Sequence, residues 1–181
     1  MQICDIRQRL AALGARAIHE QAVLKAWVRG WPLDRCKGEP EKFFPASLRA
    51  ALPGLAVEFD ELAREVSQHP SADGSMRLLV RIGGGQTVES VLLPRDGVCV
   101  SSQVGCAVGC VFCMTGREGL KRQVGSAEIV AQVALARRYR TVRRVVFMGM
   151  GEPAHNLDNV MDAIELLGLV GDIGHKNLVF S

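Results

Sequence analysis

From residue 1 to about residue 67 the apolar positions fall three or four apart, as in "IRQRLAALGA", "HEQAVLKAWVRG", "FPASLRAALPG" and "VEFDELAREV". That spacing gathers the apolar side chains on one face of a helix, and Pro and Gly punctuate the stretches, so the region predicts a small helical domain. Trp27, Trp31, Phe43 and Phe44 sit in this pattern. Aromatics so placed pack between helices; stacking on nucleic-acid bases is the alternative. The polar, turn-rich "QHPSADGS" at 68 to 75 then predicts a boundary. Beyond it "MRLLVRI" and "TVESVLLP", joined by "GGGQ", predict a β-hairpin.

Next, strands and helices alternate. "VCVSSQV" predicts a strand, "SAEIVAQVALARRY" a helix opening at a Ser cap, "RRVVFMGM" a strand, "NLDNVMDAIELLG" a helix and "KNLVFS" the start of a third strand. Repeated β-loop-α units imply parallel strands with right-handed crossovers, as in a barrel or a doubly wound sheet. The fold class expected is α/β, with a helical domain over 1–70, a hairpin over 75–94 and an incomplete α/β core over 95–181. Two βα units and a bare strand cannot close a barrel, so a fragment is expected.

The chain has 181 residues and 48% hydrophobic composition, enough for a substantial core. No run reaches the roughly 20 apolar residues that span a bilayer, and "MQICDIRQRL" is unlike a signal peptide, so the expected compartment is the cytoplasm. Six cysteines in a reducing compartment point to metal or redox chemistry rather than disulfides. A net charge of +3 does not argue for nucleic acid, but eight basic residues against two acids lie between Met114 and Arg144. That tract either faces phosphates or solvates the end of a helix.

The candidate chemistry is concentrated in "GCAVGCVFCMTG", where Cys106, Cys110 and Cys113 have the spacing C-x3-C-x2-C and Phe112 precedes the last. Structural zinc takes four protein ligands, and no second cysteine pair is present; zinc completed by Cys99 or a histidine is the alternative, as are buried thiols. A four-iron cluster held by three thiolates leaves one iron for a substrate or cofactor. The loop follows the first parallel strand, at whose C-terminal end barrel chemistry collects. One βα unit later "VVFMGMGEP" ends a strand in glycines followed by Glu152, where backbone can approach a ligand and a carboxylate can meet an ammonium group.

The cysteine spacing resembles that of the radical S-adenosylmethionine (SAM) superfamily, whose enzymes split SAM to a 5′-deoxyadenosyl radical, and "GMGEP" resembles its SAM-binding motif. "VESVLLP", "VCVSSQVGC" and "GMGEPAHNLDNV" together resemble the RlmN/Cfr family of adenine methyltransferases, from about residue 76 to Ser181 and more loosely through "VLKAWVRG" and "FPASLRAAL". The resemblance implies a partial radical-SAM (βα) barrel. It also implies methylation of carbon 2 of an adenosine in 23S ribosomal RNA and, for some members, transfer RNA.

On that resemblance a first SAM methylates a cysteine late in the chain, and a second supplies the radical that removes hydrogen from the methyl. The covalent enzyme–RNA adduct that results is resolved by loss of a ring proton and formation of a disulfide. Carried over by position, Cys106, Cys110 and Cys113 hold a 4Fe–4S cluster. Gly151, Glu152 and Ser181 contact SAM, Glu89 accepts the proton and Cys99 joins the disulfide. Read from the residues alone, Glu89 is a strand glutamate that desolvation would turn into a base or that simply faces solvent, and Cys99 is a free thiol or a small buried hydrophobe. The resemblance further implies an electron donor such as flavodoxin, a monomer and no membrane.

The chain departs from the family in three places. The methylated cysteine belongs beyond Ser181, "MTGREGLKRQ" fits loosely, and "ADGSMRLLVRI" lacks an aromatic that relatives carry. A radical-SAM enzyme with another substrate and a non-catalytic zinc- or RNA-binding module are the competing readings.

Overall fold

The computed structural model describes residues 1–180. Four helices open the chain: α1 (Ile3–Ala12), α2 (Ala17–Val28), α3 (Pro40–Phe43) and α4 (Ala46–Glu61). The pattern predicts a break at Pro53 and Gly54, yet α4 runs through both. Proline removes one helical N–H, but Leu48, Leu52, Leu55 and Phe59 are all buried on one face across it, and that packing outweighs the lost bond.

The predicted last helix and linker are also corrected, since Ala63–Pro70 forms strand β1. It pairs antiparallel with β2 (Met76–Ile82) from Ala63↔Ile82 to Pro70↔Met76. Most of β1 faces solvent, so the two-residue alternation that would announce a strand is missing, and pairing with β2 decides the outcome. The predicted hairpin is present as β2 and β3 (Thr87–Leu93).

β3 continues antiparallel to β4 (Gly97–Cys99), which pairs parallel with β7 (Arg144–Phe147), itself parallel to β8 (Leu178–Phe180). The sheet order is β1-β2-β3-β4-β7-β8. The segment predicted as one strand, "VCVSSQV", divides. After β4 the chain leaves the large sheet, and β5 (Gln103–Gly105) pairs with β6 (Leu120–Gln123) in a second, two-stranded sheet. β6 carries no apolar alternation and is not foreseen.

The crossover helices are α5 (Ser126–Ala136) and α6 (Leu157–Leu169). Every residue of α5 is buried, which is why it reads as apolar on all sides. Its cap is Gly125 rather than the expected Ser126, and Glu128 accepts the Gly125 N–H at 2.8 Å. Leu78, Val80, Val88, Leu92, Val98, Val145 and Phe147 line the helix-covered face of the large sheet and belong to one buried cluster running from Ile3 to Ile173. The alternate positions Leu79, Glu89, Val91, Cys99, Val146 and Val179 are half-buried and form the sheet's other face. Trp27 and Phe44 are core, as expected, with Trp27 against Phe59 at 4.8 Å; Phe43 and Trp31 are partly buried, Trp31 lying 4.0 Å from the Arg35 guanidinium. Among the described residues no helix is long and apolar enough to cross a membrane.

Candidate metal and cofactor site

Two loops meet beyond the C-terminal ends of the parallel strands. The first, Cys106 to Gly119, is carried between β5 and β6. Gly105 enters it with φ +75°, and a Cβ there would lie 2.0 Å from the Gly119 carbonyl oxygen, so glycine is required for the stem to close. The Cys106 N–H donates to that same carbonyl at 3.2 Å. All six cysteines are free; Cys106 is buried at the stem, Cys113 is half-buried and Cys110 is exposed. Val111 and Phe112 at the tip, with Met114 after them, are exposed, Phe112 by 87%.

The donors suit soft-metal chemistry. The Thr115 hydroxyl, then its backbone N–H and that of Gly116, hold the Cys113 thiol below its ordinary value and so favour thiolate, the form that binds iron or zinc. Among the described residues no three His, Cys, Asp or Glu side chains are already gathered as a metal site. The three thiols fit a cluster by chemical type and by sharing one loop.

The second loop, Met148 to Asn156, follows β7, and the polar run Ser101-Ser102-Gln103 holds it. All three of these side chains are buried. The Ser101 hydroxyl accepts the Met150 N–H at 2.8 Å and donates to the Glu89 carbonyl. Gln132 of α5 accepts from Ser90 Oγ and from the Ser101 N–H, both at 2.9 Å, and donates back to the Ser101 carbonyl at 3.0 Å. The N–H groups of Ser102 and Gln103 donate to the Met150 carbonyl at 2.9 and 3.1 Å, and Asn156 Nδ2 donates to the carbonyls of Ser102 and Val124 at 2.7 and 2.8 Å. Sequence reasoning missed these positioning groups. Their signal was three polar residues directly after an apolar strand, a run that can be buried only if every group finds a partner.

Gly151 has φ +99° and lies so close to Gln103 that a Cβ would meet that side chain at 2.4 Å. Glu152 is half-buried, and its Oε1 accepts the Ala154 N–H at 3.0 Å, capping a short turn. Ser181, also assigned to SAM, lies outside the described residues. A cleft of about 470 Å³ runs between the loops and the β2–β3 turn, lined in part by Gln86, Val104, Met114, Arg117 and Met150.

Glu89 and Cys99 share the half-buried face of the sheet. Cys99 is registered opposite Val91, two positions along β3 from Glu89. Burial pushes the Cys99 thiol up, against an opposing backbone hydrogen bond from Met148. Glu89 is half-exposed and pairs with Arg77 at 2.8 Å.

Part of the basic tract is engaged inside the fold. Arg122 is bidentate on the buried Glu128 at 2.8 and 3.0 Å. Arg137 donates to the carbonyls of Val28, Val142 and Gly171, and burial together with Arg29 lowers its pKa to about 10, which leaves it charged at neutral pH. Lys121, Arg138 and Arg143 pair with Glu118, Asp60 and Asp96. Arg117 and Lys121 both line the cleft, and Arg144 is exposed.

Residues 100–179 match the family model described as the radical SAM superfamily. A "Probable RNA methyltransferase" of Stutzerimonas stutzeri is 67% identical over 183 residues, covering 100% of this chain and 54% of that protein. One of Thiobacillus denitrificans is 68% identical over 181 residues, covering 100% and 50%. The crystal structure of a radical SAM methyltransferase from Sphaerobacter thermophilus superposes with a TM-score of 0.73 at 32% identity, over 98% of this chain and 54% of that one. The chain thus spans about half the length of the curated relatives it matches. Over residues 100–179 this chain is similar to the radical SAM superfamily, a likeness that implies a 4Fe–4S cluster and SAM as cofactors.

Proposed function

We propose that the protein is a radical-SAM RNA methyltransferase acting on carbon 2 of an adenosine in 23S ribosomal RNA, and on transfer RNA, through a methyl-cysteine intermediate. The relatives named as probable RNA methyltransferases support the RNA substrate. The observation that carries the finer reading is the placement of Glu89 and Cys99 on one face of the sheet, on strands that lead into the cysteine loop.

In this reading Cys106, Cys110 and Cys113 hold the cluster, and Gly151, Glu152 and Ser181 contact SAM. When bound, the cluster supplies the electron that cleaves SAM. Glu89 takes the ring proton from the adenine of the covalent adduct, Arg77 holding its carboxylate in place meanwhile. The adduct's unpaired electron would return to the cluster as that proton leaves. The Cys99 thiolate then attacks the sulfur of the cysteine that bridges to the adenine, which in this reading lies outside this chain's residues; the S–S bond forms as the bond from that sulfur to the methylene carbon breaks, the carbon takes up a proton to become the methyl group, and the methylated RNA leaves. A raised thiol pKa keeps Cys99 protonated, and so unreactive, until that partner arrives. The reading includes an electron donor such as flavodoxin, a monomeric enzyme and a cytoplasmic location.

The test uses the full-length protein, reconstituted anaerobically and incubated with SAM, reductant and RNA. Glu89→Gln and Cys99→Ser are each expected to accumulate a protein–RNA adduct that survives a denaturing gel, whereas wild type turns over. Methylation by both variants at the wild-type rate, with no adduct, contradicts the roles of Glu89 and Cys99.

A further inference from the structure

The cysteine loop and the glycine loop are joined by two glutamines. Gln103 and Gln123 are registered opposite each other on β5 and β6, the two strands that form the stem of the cysteine loop. Gln103 Nε2 donates to Gln123 Oε1 at 2.9 Å, so the amides close a rung across the stem. Both remaining amide ends reach the other loop. Gln103 Oε1 accepts the Glu152 N–H at 2.8 Å, and Gln123 Nε2 donates to the His155 carbonyl at 2.8 Å.

The rung is rigid for physical reasons. Gln103 is fully buried, so each of its amide atoms must keep a protein partner. Gly151 packs directly on its side chain, at a separation no other residue type would allow. A shift of the cysteine stem therefore moves Gly151 and Glu152 with it.

We infer that the Gln103–Gln123 pair is a positioning brace that fixes the Gly151–Glu152 loop relative to the cysteine loop, so that SAM binding at one depends on the cluster held by the other. This rests on the reading of the two loops as cluster and SAM sites. Neither glutamine touches a reacting atom; both act through the backbone of the glycine loop. The chain Glu152–Gln103–Gln123–His155 behaves as one unit, so breaking either amide releases the same constraint.

The experiment compares full-length wild type with Gln103→Met, Gln123→Met and the double variant, all reconstituted anaerobically. Iron content, melting temperature, SAM affinity by equilibrium dialysis, and the change that SAM produces in the electron paramagnetic resonance spectrum of the reduced cluster are measured. Each single variant is expected to retain its iron while SAM affinity falls about tenfold, the size of one lost hydrogen bond, with the spectral change weakened. The double variant is expected to lose no more than the worse single. Gln123 reaches the surface, so Gln123→Met carries the test if the buried Gln103→Met does not fold.

SAM affinity within twofold of wild type in Gln123→Met overturns the brace, as does loss of iron in step with loss of SAM, which marks simple collapse of the stem. A wild-type protein that takes up iron but shows no SAM response refutes the superfamily reading of the glycine loop, a result distinct from a variant that matches a responsive wild type.

Discussion

The two loops that meet at this site are built by opposite means. The Met148–Asn156 loop is held almost atom by atom: buried Ser101, Ser102 and Gln103 give it polar atoms or backbone groups from outside, and its own buried Asn156 donates back to the Ser102 carbonyl. The Cys106–Gly119 loop is fixed at its stem by backbone and glycine contacts, while Val111 and Phe112 at its tip face solvent. The difference teaches where the binding energy must come from. A loop whose groups are already satisfied offers a ready-made surface to an amino acid or nucleoside, whereas a loop with one thiol at its stem and two toward an exposed tip gains order from what those thiols bind.

That contrast can be broken most severely at its foundation. Arg122 leaves the cysteine loop through β6 and ends on Glu128, which is buried. Arg122→Met strands that carboxylate and is expected to cost about 3 to 5 kcal/mol, read by urea denaturation. A loss of RNA affinity without a loss of stability would instead make Arg122 a surface contact.

Gly151→Ala comes next. Its new Cβ meets Gln103, and its positive φ disfavours any side chain, so a cost of about 2 kcal/mol is expected together with displacement of the Glu152 N–H. Wild-type stability in that variant would mean the glycine loop is not clamped.

A gentler probe is Cys99, whose thiol is pushed up by burial. The folded value lies above the unfolded one, so protonation at Cys99 adds stability below the ordinary thiol range near pH 8.5, and that increment is lost as pH rises through the raised value. Alkylation of Cys99, followed by peptide mass spectrometry, is expected to be slow at pH 7.5 and to accelerate only above that range. Rapid alkylation at neutral pH contradicts the burial argument. The smallest effect is expected at Lys121, which pairs with an exposed Glu118 on the cysteine loop's return. Lys121→Ala should leave the melting temperature unchanged.

The same contrast explains what could be read from the chain and what could not. The cysteine spacing, the Gly-Glu-Pro turn and the βα rhythm are local, and β4, β7, α5, α6 and β8 fall where their apolar periods put them. β1 and β6 are strands made by their partners: neither alternates cleanly, and each exists because β2 or β5 offers a free edge. The continuation of α4 through Pro53 is likewise decided by the burial of Leu48, Leu52, Leu55 and Phe59. The basic tract divides for a related reason. Composition counts charges, but only folding reveals that Arg137 ends on three carbonyls and Arg122 on a buried acid. Ser101, Ser102 and Gln103 were visible as part of a family signature, while their work as anchors appears only once β4, α5 and the glycine loop converge.

The most direct test of the account is an iron determination on full-length protein reconstituted without oxygen, alongside a variant with Cys106, Cys110 and Cys113 all changed to Ser. About four irons per chain in wild type and none in the variant is the expected result. Zinc in place of iron, or iron that survives the triple substitution, would contradict it.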